Sequence, residues 1–194
     1  FARWWSVAPS AANASALVVE PPMMVERCRA ALPDGPPVYE LSVGLNAQHF
    51  RPATPSERIA WRRALHLPID ASVILSPRGW APSYNHHCVL DAFALALPEL
   101  PAPAFLVFLE LGRDFAFERM VEYRARVEIQ AQQLGLTDHV KWLPSFPPVA
   151  MMMLYGVADV VVSYRTPDTF PVTVLEAIAC CRPVISPRLP TFRD

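Results

Sequence analysis

Short continuous apolar runs alternate along the chain with longer segments whose apolar residues recur every three or four positions. Apolar runs bounded by turn residues are typical of strands buried on both faces, whereas the longer spacing indicates amphipathic helices. The pattern predicts strands at residues 16–19, 38–43, 72–76, 105–109, 139–142, 159–163 and 183–185. It predicts helices at residues 22–31, 56–67, 85–97, 117–134, 148–157 and 172–181.

This alternation predicts an α/β fold with a doubly wound parallel sheet, because each right-handed crossover lays a helix across one face of the sheet. Ligands of such sheets bind beyond the carboxyl ends of the strands, so a site is expected in the loops after Ser76, Leu109, Trp142 and Ser163. Ser56 is the expected N-cap of the helix at 56–67. The residues whose spacing predicts the sheet-packing face of the helix at 172–181 are Val172, Leu175, Ile178 and Ala179.

Composition and charge narrow the classes of partner. Hydrophobic residues make up 53% of the chain and charged residues 18%, a balance typical of a folded domain rather than a disordered one. The chain carries 17 basic and 18 acidic residues without a basic cluster, which argues against nucleic acid as a partner. No apolar run reaches the roughly 18 residues of a membrane helix. We therefore expect a folded, cytoplasmic protein.

Neither the cysteines nor the histidines are spaced like metal ligands. The four cysteines contain no C-x-x-C, so they predict neither a zinc site nor a disulfide framework and favour a reducing compartment. His86 and His87 are adjacent at a helix start and have no nearby carboxylate, which favours surface or capping roles. Cys180 and Cys181 are expected to be buried small hydrophobes, and the sequence predicts no metal and no cofactor.

The loop after Ser163 carries the clearest chemistry. It leads into the helix at 172–181, whose first N–H groups and positive dipole end would hold a phosphate without a glycine-rich loop. Asp168 and Glu176 flank this helix entrance and are able to accept hydrogen bonds from the hydroxyls of a sugar or ribose. The alternative from spacing alone is structural, with Asp168 as a turn former and Thr173 and Glu176 as a capping box.

Several landmarks occur in the order seen in the retaining glycosyltransferases of the GT-B fold, group 1 and family 4-like. Asp168 and Glu176, with the stretch up to Ile185, resemble the Glu-x7-Glu signature of that family and the segment after it. The resemblance covers residues 15 to 194. The further landmarks are Val43-Gly44-Leu45-Asn46 with Phe50 and Pro52, Leu134-Gly135-Leu136 with Val140 and Trp142, and Leu154-Tyr155 with Ala158-Asp159-Val160.

The resemblance implies a role for each matching residue. Glu176 would bind the donor ribose, and Asp168 would be the catalytic carboxylate that faces the donor sugar near its anomeric carbon. Arg78 would bind the donor phosphates, and the backbone of 169–173 would hold the diphosphate and sugar. The donor-binding residues implied by the resemblance are Arg78, Gly79, Asp168, Thr169, Phe170, Pro171, Val172, Thr173 and Glu176.

The chain departs from the family pattern at two positions. Tyr84 stands where many members carry a second cation, a lysine, so Arg113 or Arg165 would have to compensate. Cys181 stands where the family prefers a glycine, which serves as a left-handed helix stop. A cysteine there predicts either backbone strain or a different helix end.

The reaction implied by the resemblance is transfer of a sugar from a nucleoside diphosphate sugar to an acceptor hydroxyl, with retention at the anomeric carbon and without a metal ion. The acceptor would be a glycan, a lipid-linked molecule or a small molecule. Two alternatives on the same fold are a nucleotide-sugar epimerase or phosphorylase, and a non-catalytic module that binds a nucleotide sugar.

The resemblance also implies how the chain is divided. Residues 1–46 are expected to be the tail of an N-terminal acceptor domain, residues 47–55 a linker, and residues 56–194 a nucleotide-sugar domain truncated at its C-terminus. The chain by itself is expected to be inactive. Any peripheral membrane contact would come through the missing part of the N-terminal domain.

Overall fold

The structure is a computed structural model that describes residues 9–20, 22–41, 44–110, 118–166 and 171–188. The chain forms two compact units, of which the first contains the described residues up to Gly44 and the second those from Leu45 to Arg188. Among the described residues, no helix is both long enough and apolar enough to cross a bilayer.

The first unit contains a β-α-β segment. Strands β1 (Leu17–Val19) and β2 (Val38–Glu40) pair in parallel. The connecting helix α1 (Pro22–Ala31) begins with a proline, whose missing N–H is tolerated in a first turn. Val25 and Cys28, one turn apart, are buried. The predicted boundaries of α1 are confirmed.

The second unit contains a five-stranded parallel sheet. Its strands are β3 (Ser72–Ser76), β4 (Ala104–Leu109), β5 (Val140–Leu143), β6 (Val160–Val162) and β7 (Val184–Ile185). Its helices are α2 (Pro55–Ala64), α3 (His86–Ala96), α4 (Glu118–Gln133), α5 (Met151–Val157) and α6 (Val172–Ala179). Short 3-10 turns lie at Pro82–Tyr84, Leu97–Glu99 and Pro148–Ala150. The predicted order of strands and helices is confirmed.

Both faces of this sheet are covered, which confirms the doubly wound α/β fold. Along β4, Leu106 and Phe108 belong to one apolar cluster, and Val107 and Leu109 belong to the other. Helices α3 and α4 supply side chains to the first cluster, and α5 and α6 supply side chains to the second. Because successive residues of a strand face opposite sides, a strand buried on both faces needs the continuous apolar runs found in the sequence.

The strand order β5-β4-β3-β6-β7 places a topological switch point between β3 and β6. From β3 the chain proceeds outward through β4 and β5, and it then returns to form β6 on the other side of β3. A crevice opens at such a point, beyond the carboxyl ends of the two central strands. Of the four loops expected to carry a site, the topology therefore selects those after Ser76 and Ser163.

At the amino end of this sheet, arginines fasten α2 to the strands. The buried Arg62 donates to the carbonyl oxygen of Val157 at 2.9 Å and pairs with the carboxylate of Asp159 at 2.9 Å. Arg58 pairs with the same carboxylate, which also accepts the backbone N–H of Val73 at 2.8 Å. Further carbonyl oxygens that accept from Arg58 or Arg62 are those of Ile69, Ala71, Gly156 and Ala158.

The start of α2 differs from the prediction. Thr54, not Ser56, is the N-cap: its hydroxyl accepts the N–H of Glu57 at 3.2 Å, and the Glu57 carboxylate accepts the N–H of Thr54 at 2.8 Å. This is a complete capping box, which the sequence Thr-Pro-Ser-Glu supports with a proline in the first turn. The segment before it carries Phe50 into the apolar core of the second unit.

The buried face of α6 also differs from the prediction. Ala177 and Cys180 are fully buried, whereas Ile178, expected on the sheet, is 59% exposed. Small side chains allow a helix to approach its neighbours closely, so α6 is rotated toward the stripe that contains Ala177 and Cys180. Of the two adjacent cysteines only Cys180 is a buried hydrophobe, because Cys181 is exposed.

Cys181 ends α6 in the left-handed backbone region, with φ 53°. The N–H of Arg182 donates to the carbonyl of Ala177 at 2.9 Å and that of Cys181 to the carbonyl of Ile178 at 2.8 Å, which is the Schellman arrangement. The same arrangement ends α4, with Gly135 at φ 70°. Of the two predicted alternatives, Cys181 therefore adopts the glycine-like helix end and carries the strain of its Cβ.

Candidate functional site

The candidate site lies at the carboxyl ends of β3 and β6. Arg78 follows β3 by two residues, and Arg165 follows β6 by three. Helix α6 begins a few residues after Arg165 and contains Thr173 and Glu176. The tertiary structure joins these parts, which are about 95 residues apart in the chain, by the hydrogen bond from Arg78 Nη1 to Thr173 Oγ1 at 2.9 Å.

Arg78 is held on three sides. Its side chain donates to Thr173, and its guanidinium carbon lies 4.4 Å from the centroid of the Tyr84 ring. Its backbone carbonyl lies 3.3 Å from Nε2 of His86. Arg78 is only 9% exposed, so the guanidinium is placed at the edge of the sheet with little freedom.

His86 forms the support behind Arg78. The expected surface or capping role is wrong, because the ring is fully buried, stacked on Trp80 at 4.3 Å between centroids. A carbonyl only accepts hydrogen bonds, so Nε2 of His86 carries the proton that is donated to Arg78. Burial, which disfavours the charged ring, lowers the pKa of His86 to about 4. His86 is therefore a neutral packing residue at pH 7.

Trp80 is fixed in turn by the sheet. Its Nε1 donates to the carbonyl oxygen of Leu109 at 2.6 Å, at the end of the neighbouring strand β4. Its ring also packs edge-on against Phe108, with 5.6 Å between centroids. The loop after β3 is thus anchored by an indole that satisfies its only donor inside the core.

The loops after β3 and β6 are tied together through Asn85. Its Nδ2 donates to the carbonyl of Tyr164 at 3.2 Å and to Oγ1 of Thr166 at 3.0 Å. The N–H of Thr166 donates to the carbonyl of Ser83 at 3.3 Å. Asn85 has φ 53°, a conformation that asparagine tolerates better than most residues, and its side chain does not cap α3. The side chain is used to clamp the second loop instead.

Glu176 is oriented by a buried tyrosine of α5. The hydroxyl of Tyr155 donates to Oε2 of Glu176 at 2.6 Å, and Tyr155 is fully buried beside Phe50. Burial raises the pKa of Glu176, and this effect is opposed by the Tyr155 hydrogen bond and by the charges of Arg78 and His49. Burial also raises the pKa of Tyr155, so its hydroxyl stays a donor.

The capping-box alternative for Thr173 and Glu176 is wrong. The N-cap of α6 is Pro171, which has no side-chain acceptor, and Thr173 is the second residue of the helix. The Thr173 hydroxyl accepts from Arg78, and the Glu176 carboxylate accepts from Tyr155. Neither side chain therefore caps α6, and each is hydrogen-bonded to a residue outside that helix.

The other predicted site residues are placed as follows. Val172 is the first residue of α6. Gly79 is exposed, and a side chain added there would meet only Tyr84, at 3.8 Å. Asp168, Thr169, Phe170 and Arg113 lie outside the described residues. Within the described ranges, no three histidine, cysteine, aspartate or glutamate side chains are grouped as they would be around a metal ion.

Sequence reasoning did not assign Tyr155, His86 or Asn85 to the site. Tyr155 belonged to a landmark without a role, and His86 was set aside with His87. Tyr155 is one position of a short, mostly apolar helix, and its local sequence gives no signal of its partner. These contacts join residues 8, 21 and 79 positions apart, so only folding identifies them.

The doubly wound α/β fold, with its crevice at the switch point, matches that of solved GT-B glycosyltransferases. The family model described as glycosyl transferases group 1 matches residues 57–194. The chain belongs to this family.

Curated relatives and solved structures are similar to the chain. A D-inositol 3-phosphate glycosyltransferase of Corynebacterium urealyticum is 28% identical over 75% of this chain and 34% of its own length. The structure of Anabaena HepE in complex with UDP and glucose has a TM-score of 0.80 at 19% identity, covering 97% of this chain and 48% of HepE. Sucrose-phosphate synthase from Thermosynechococcus elongatus has a TM-score of 0.80 at 22% identity, covering 99% and 45%. The chain spans about a third of the curated relative and about half of each solved chain.

Proposed function

We propose that the chain binds a nucleoside diphosphate sugar at the switch point between β3 and β6 and serves in transfer of the sugar to an acceptor hydroxyl. The observation that carries the proposal is the hydrogen bond from Arg78 to Thr173, in the first turn of α6 and three residues before Glu176. It brings a guanidinium, a helix N-terminus and a carboxylate to one edge of the sheet. Such groups suit a diphosphate and a ribose.

Arg78 and the first turn of α6 would act on the leaving group. As the bond between the anomeric carbon and the diphosphate breaks, the diphosphate departs with the electron pair and gains negative charge. Fixed donors stabilise such charge without reorganising, and Arg78 is fixed by Tyr84, His86 and Thr173. The acceptor oxygen forms the new bond to the anomeric carbon, and its proton leaves with the diphosphate.

Glu176 would bind the ribose of the donor. Each carboxylate oxygen has two lone pairs, so the bond from Tyr155 orients Glu176 and leaves acceptor capacity for ribose hydroxyls. The partial burial of this carboxylate strengthens each hydrogen bond that it accepts. Asp168 is proposed as the carboxylate that favours positive charge at the anomeric carbon.

We also propose that transfer retains the anomeric configuration and needs no metal ion. The support for the second point is that Arg78, Arg165 and the first turn of α6 gather at the edge where the diphosphate would lie, and that the described residues hold no acidic cluster there. Product anomers assigned by proton NMR test retention, since an inverted product contradicts it. Activity measured with and without EDTA tests metal independence.

Calorimetry with single variants of the full chain tests the donor site. UDP-glucose is the first probe, because related folds have been solved with UDP and glucose, followed by GDP and ADP sugars. Arg78→Ala and Glu176→Ala are each expected to weaken binding more than tenfold, since charge-assisted hydrogen bonds contribute roughly 1.5–3 kcal/mol. The exposed Arg63→Ala and Glu122→Ala are the matched controls for lost charge.

The outcomes of this experiment separate the candidate functions. Unchanged donor affinity in both site variants contradicts the proposal. Donor binding without sugar transfer by the intact protein, in any acceptor screen, identifies a non-catalytic nucleotide-sugar module. Epimerised sugar or phosphorolysis, without a glycosylated acceptor, identifies the other enzyme classes of this fold.

A further inference from the structure

We propose that Arg165 is a second cationic ligand for the donor diphosphate, positioned beside Arg78 by the ring of Tyr84. This inference rests on the proposed function and adds a residue to its binding site. It gives a function to two contacts that the proposed donor site leaves unexplained: the contact of Arg165 with the Tyr84 ring, and the hydrogen bonds from Asn85 to the loop after β6.

The first observation is that two guanidinium groups share one aromatic ring. The Cζ atom of Arg78 lies 4.4 Å from the centroid of Tyr84, and that of Arg165 lies 5.0 Å from it. The two groups come from opposite sides of the switch point, one from the loop after β3 and one from the loop after β6. A diphosphate offers two phosphoryl groups, each of which can accept charge-assisted hydrogen bonds from a guanidinium.

The second observation is that hydrogen bonds fix the backbone on both sides of Arg165. Its two neighbours in the chain, Tyr164 and Thr166, both accept from Nδ2 of Asn85, at 3.2 and 3.0 Å. The N–H of Thr166 also donates to Ser83, next to Tyr84. The backbone on either side of Arg165 is thus bonded to the turn that carries the ring.

The third observation concerns charge. Two guanidinium groups on one ring carry like charges, which repel each other. An anion that both groups contact would offset this repulsion, and the N-terminus of α6, which Arg78 reaches through Thr173, would add to the attraction. Tyr84 stands where a lysine was expected, and Arg165 would restore the second cation that a diphosphate requires.

Calorimetry on the full chain tests this role, with UDP, GDP and ADP as probes and with the matching nucleoside monophosphates. Arg165→Ala is expected to weaken binding of the preferred nucleoside diphosphate at least tenfold and to reduce its preference over the monophosphate. Arg63→Ala, which removes an exposed arginine of α2, is expected to change binding less than twofold.

Variants of the ring separate positioning from charge. Tyr84→Phe keeps the aromatic face and is expected to bind within twofold of the unmodified chain. Tyr84→Leu removes the face and is expected to weaken diphosphate binding at least fivefold. Arg165→Lys keeps the charge without the planar stack and is expected to lie between Arg165→Ala and the unmodified chain.

The results distinguish this inference from the proposed function. If Arg78→Ala loses binding and Arg165→Ala does not, Arg165 is a packing residue and the donor site stands without it. If the unmodified chain binds none of the three nucleoside diphosphates, both proposals fail. If Arg165→Ala does not fold, unchanged affinity in both Arg165→Lys and Tyr84→Leu overturns the inference.

Discussion

The two ends of the central sheet both gather arginines but hold them with different partners. At the amino end, Arg58 and Arg62 donate to backbone carbonyls and pair directly with Asp159. At the carboxyl end, Arg78 and Arg165 are held against the ring of Tyr84. A carboxylate with carbonyl oxygens uses the N–H donors of a guanidinium, whereas an aromatic ring contacts the face of the group and uses none of its N–H donors.

Within one domain, Arg58 and Arg62 therefore have a structural role, whereas Arg78 and Arg165 have the proposed role of binding a ligand. The hydrogen bonds from Arg58 and Arg62 to backbone carbonyls join helix α2 to the sheet and contribute to stability. Guanidinium groups held by a ring can present donors to an anion. We expect substitutions at the amino end to change the free energy of unfolding, and those at the carboxyl end to change binding.

Loss of Arg62 is expected to have the largest effect on stability. Arg62→Ala would leave the carbonyls of Ala71 and Val157 without this buried donor and would remove one of the two arginines that pair with Asp159, so the free energy of unfolding should fall by about 3–5 kcal/mol. Urea denaturation followed by tryptophan fluorescence measures this change.

The neighbouring Arg63 and the carboxyl-end Arg165 provide the controls. Arg63→Ala and Arg165→Ala should each lower the free energy of unfolding by less than about 1 kcal/mol, because an exposed arginine and a single cation–π contact each contribute little. If Arg165→Ala destabilised the chain as much as Arg62→Ala, the arginines at the carboxyl end of the sheet would also be structural, which contradicts the distinction.

His86 is expected to make the carboxyl end sensitive to acid. An unfolded histidine binds a proton below pH 6.5, whereas buried His86 does so only near its pKa of about 4. Protonation therefore favours the unfolded chain as the pH falls between these values, and stability should drop by about 3 kcal/mol over this window.

Urea denaturation at pH 7 and pH 4.5 measures the acid sensitivity. His86→Gln keeps a donor for the Arg78 carbonyl and should show a smaller loss over the same range. His87→Gln retains His86 and should keep the steep loss of the unmodified chain. Equal slopes in all three proteins would show that acid sensitivity arises elsewhere.

The smallest expected change in stability is at the amino end of the sheet, where α6 ends at Cys181. Cys181→Gly removes a Cβ from a left-handed residue and should raise the free energy of unfolding by about 0.5–1 kcal/mol without altering ligand binding. Gly135→Ala at the end of α4 is the reverse change, and an added Cβ there contacts nothing within 4 Å. It should lower stability by a similar amount, as measured by thermal melts.

Much of the fold was predictable because the periodicity of a parallel sheet is local. A strand covered on both faces needs an unbroken apolar run, and each crossover helix shows its own spacing, so the order of elements and the doubly wound class are confirmed. Ser56 and Ile178 show where this reasoning fails. Cap choice depends on which hydroxyl meets Glu57, and the buried face of α6 depends on what it packs against.

The candidate site was predictable only in part. Arg78, Thr173 and Glu176 were identified from their place after strands and from a family resemblance, and their roles remain predictions. The supports that hold them were not identified. Tyr155 and Asn85 contact residues 21 and 79 positions away, and His86 contacts Arg78 across a turn, so nothing in their local sequence marks the partner that each one meets.

The amino-acid sequence alone decided the order of strands and helices and the residue types available at the edge of the sheet. Only the folded chain decided that β3 and β6 are neighbours, and hence that Arg78 and Arg165 share the ring of Tyr84. The physical reason is range: backbone conformation and apolar periodicity act over a few residues. The pairing of strands and the meeting of charges depend on how the whole core packs.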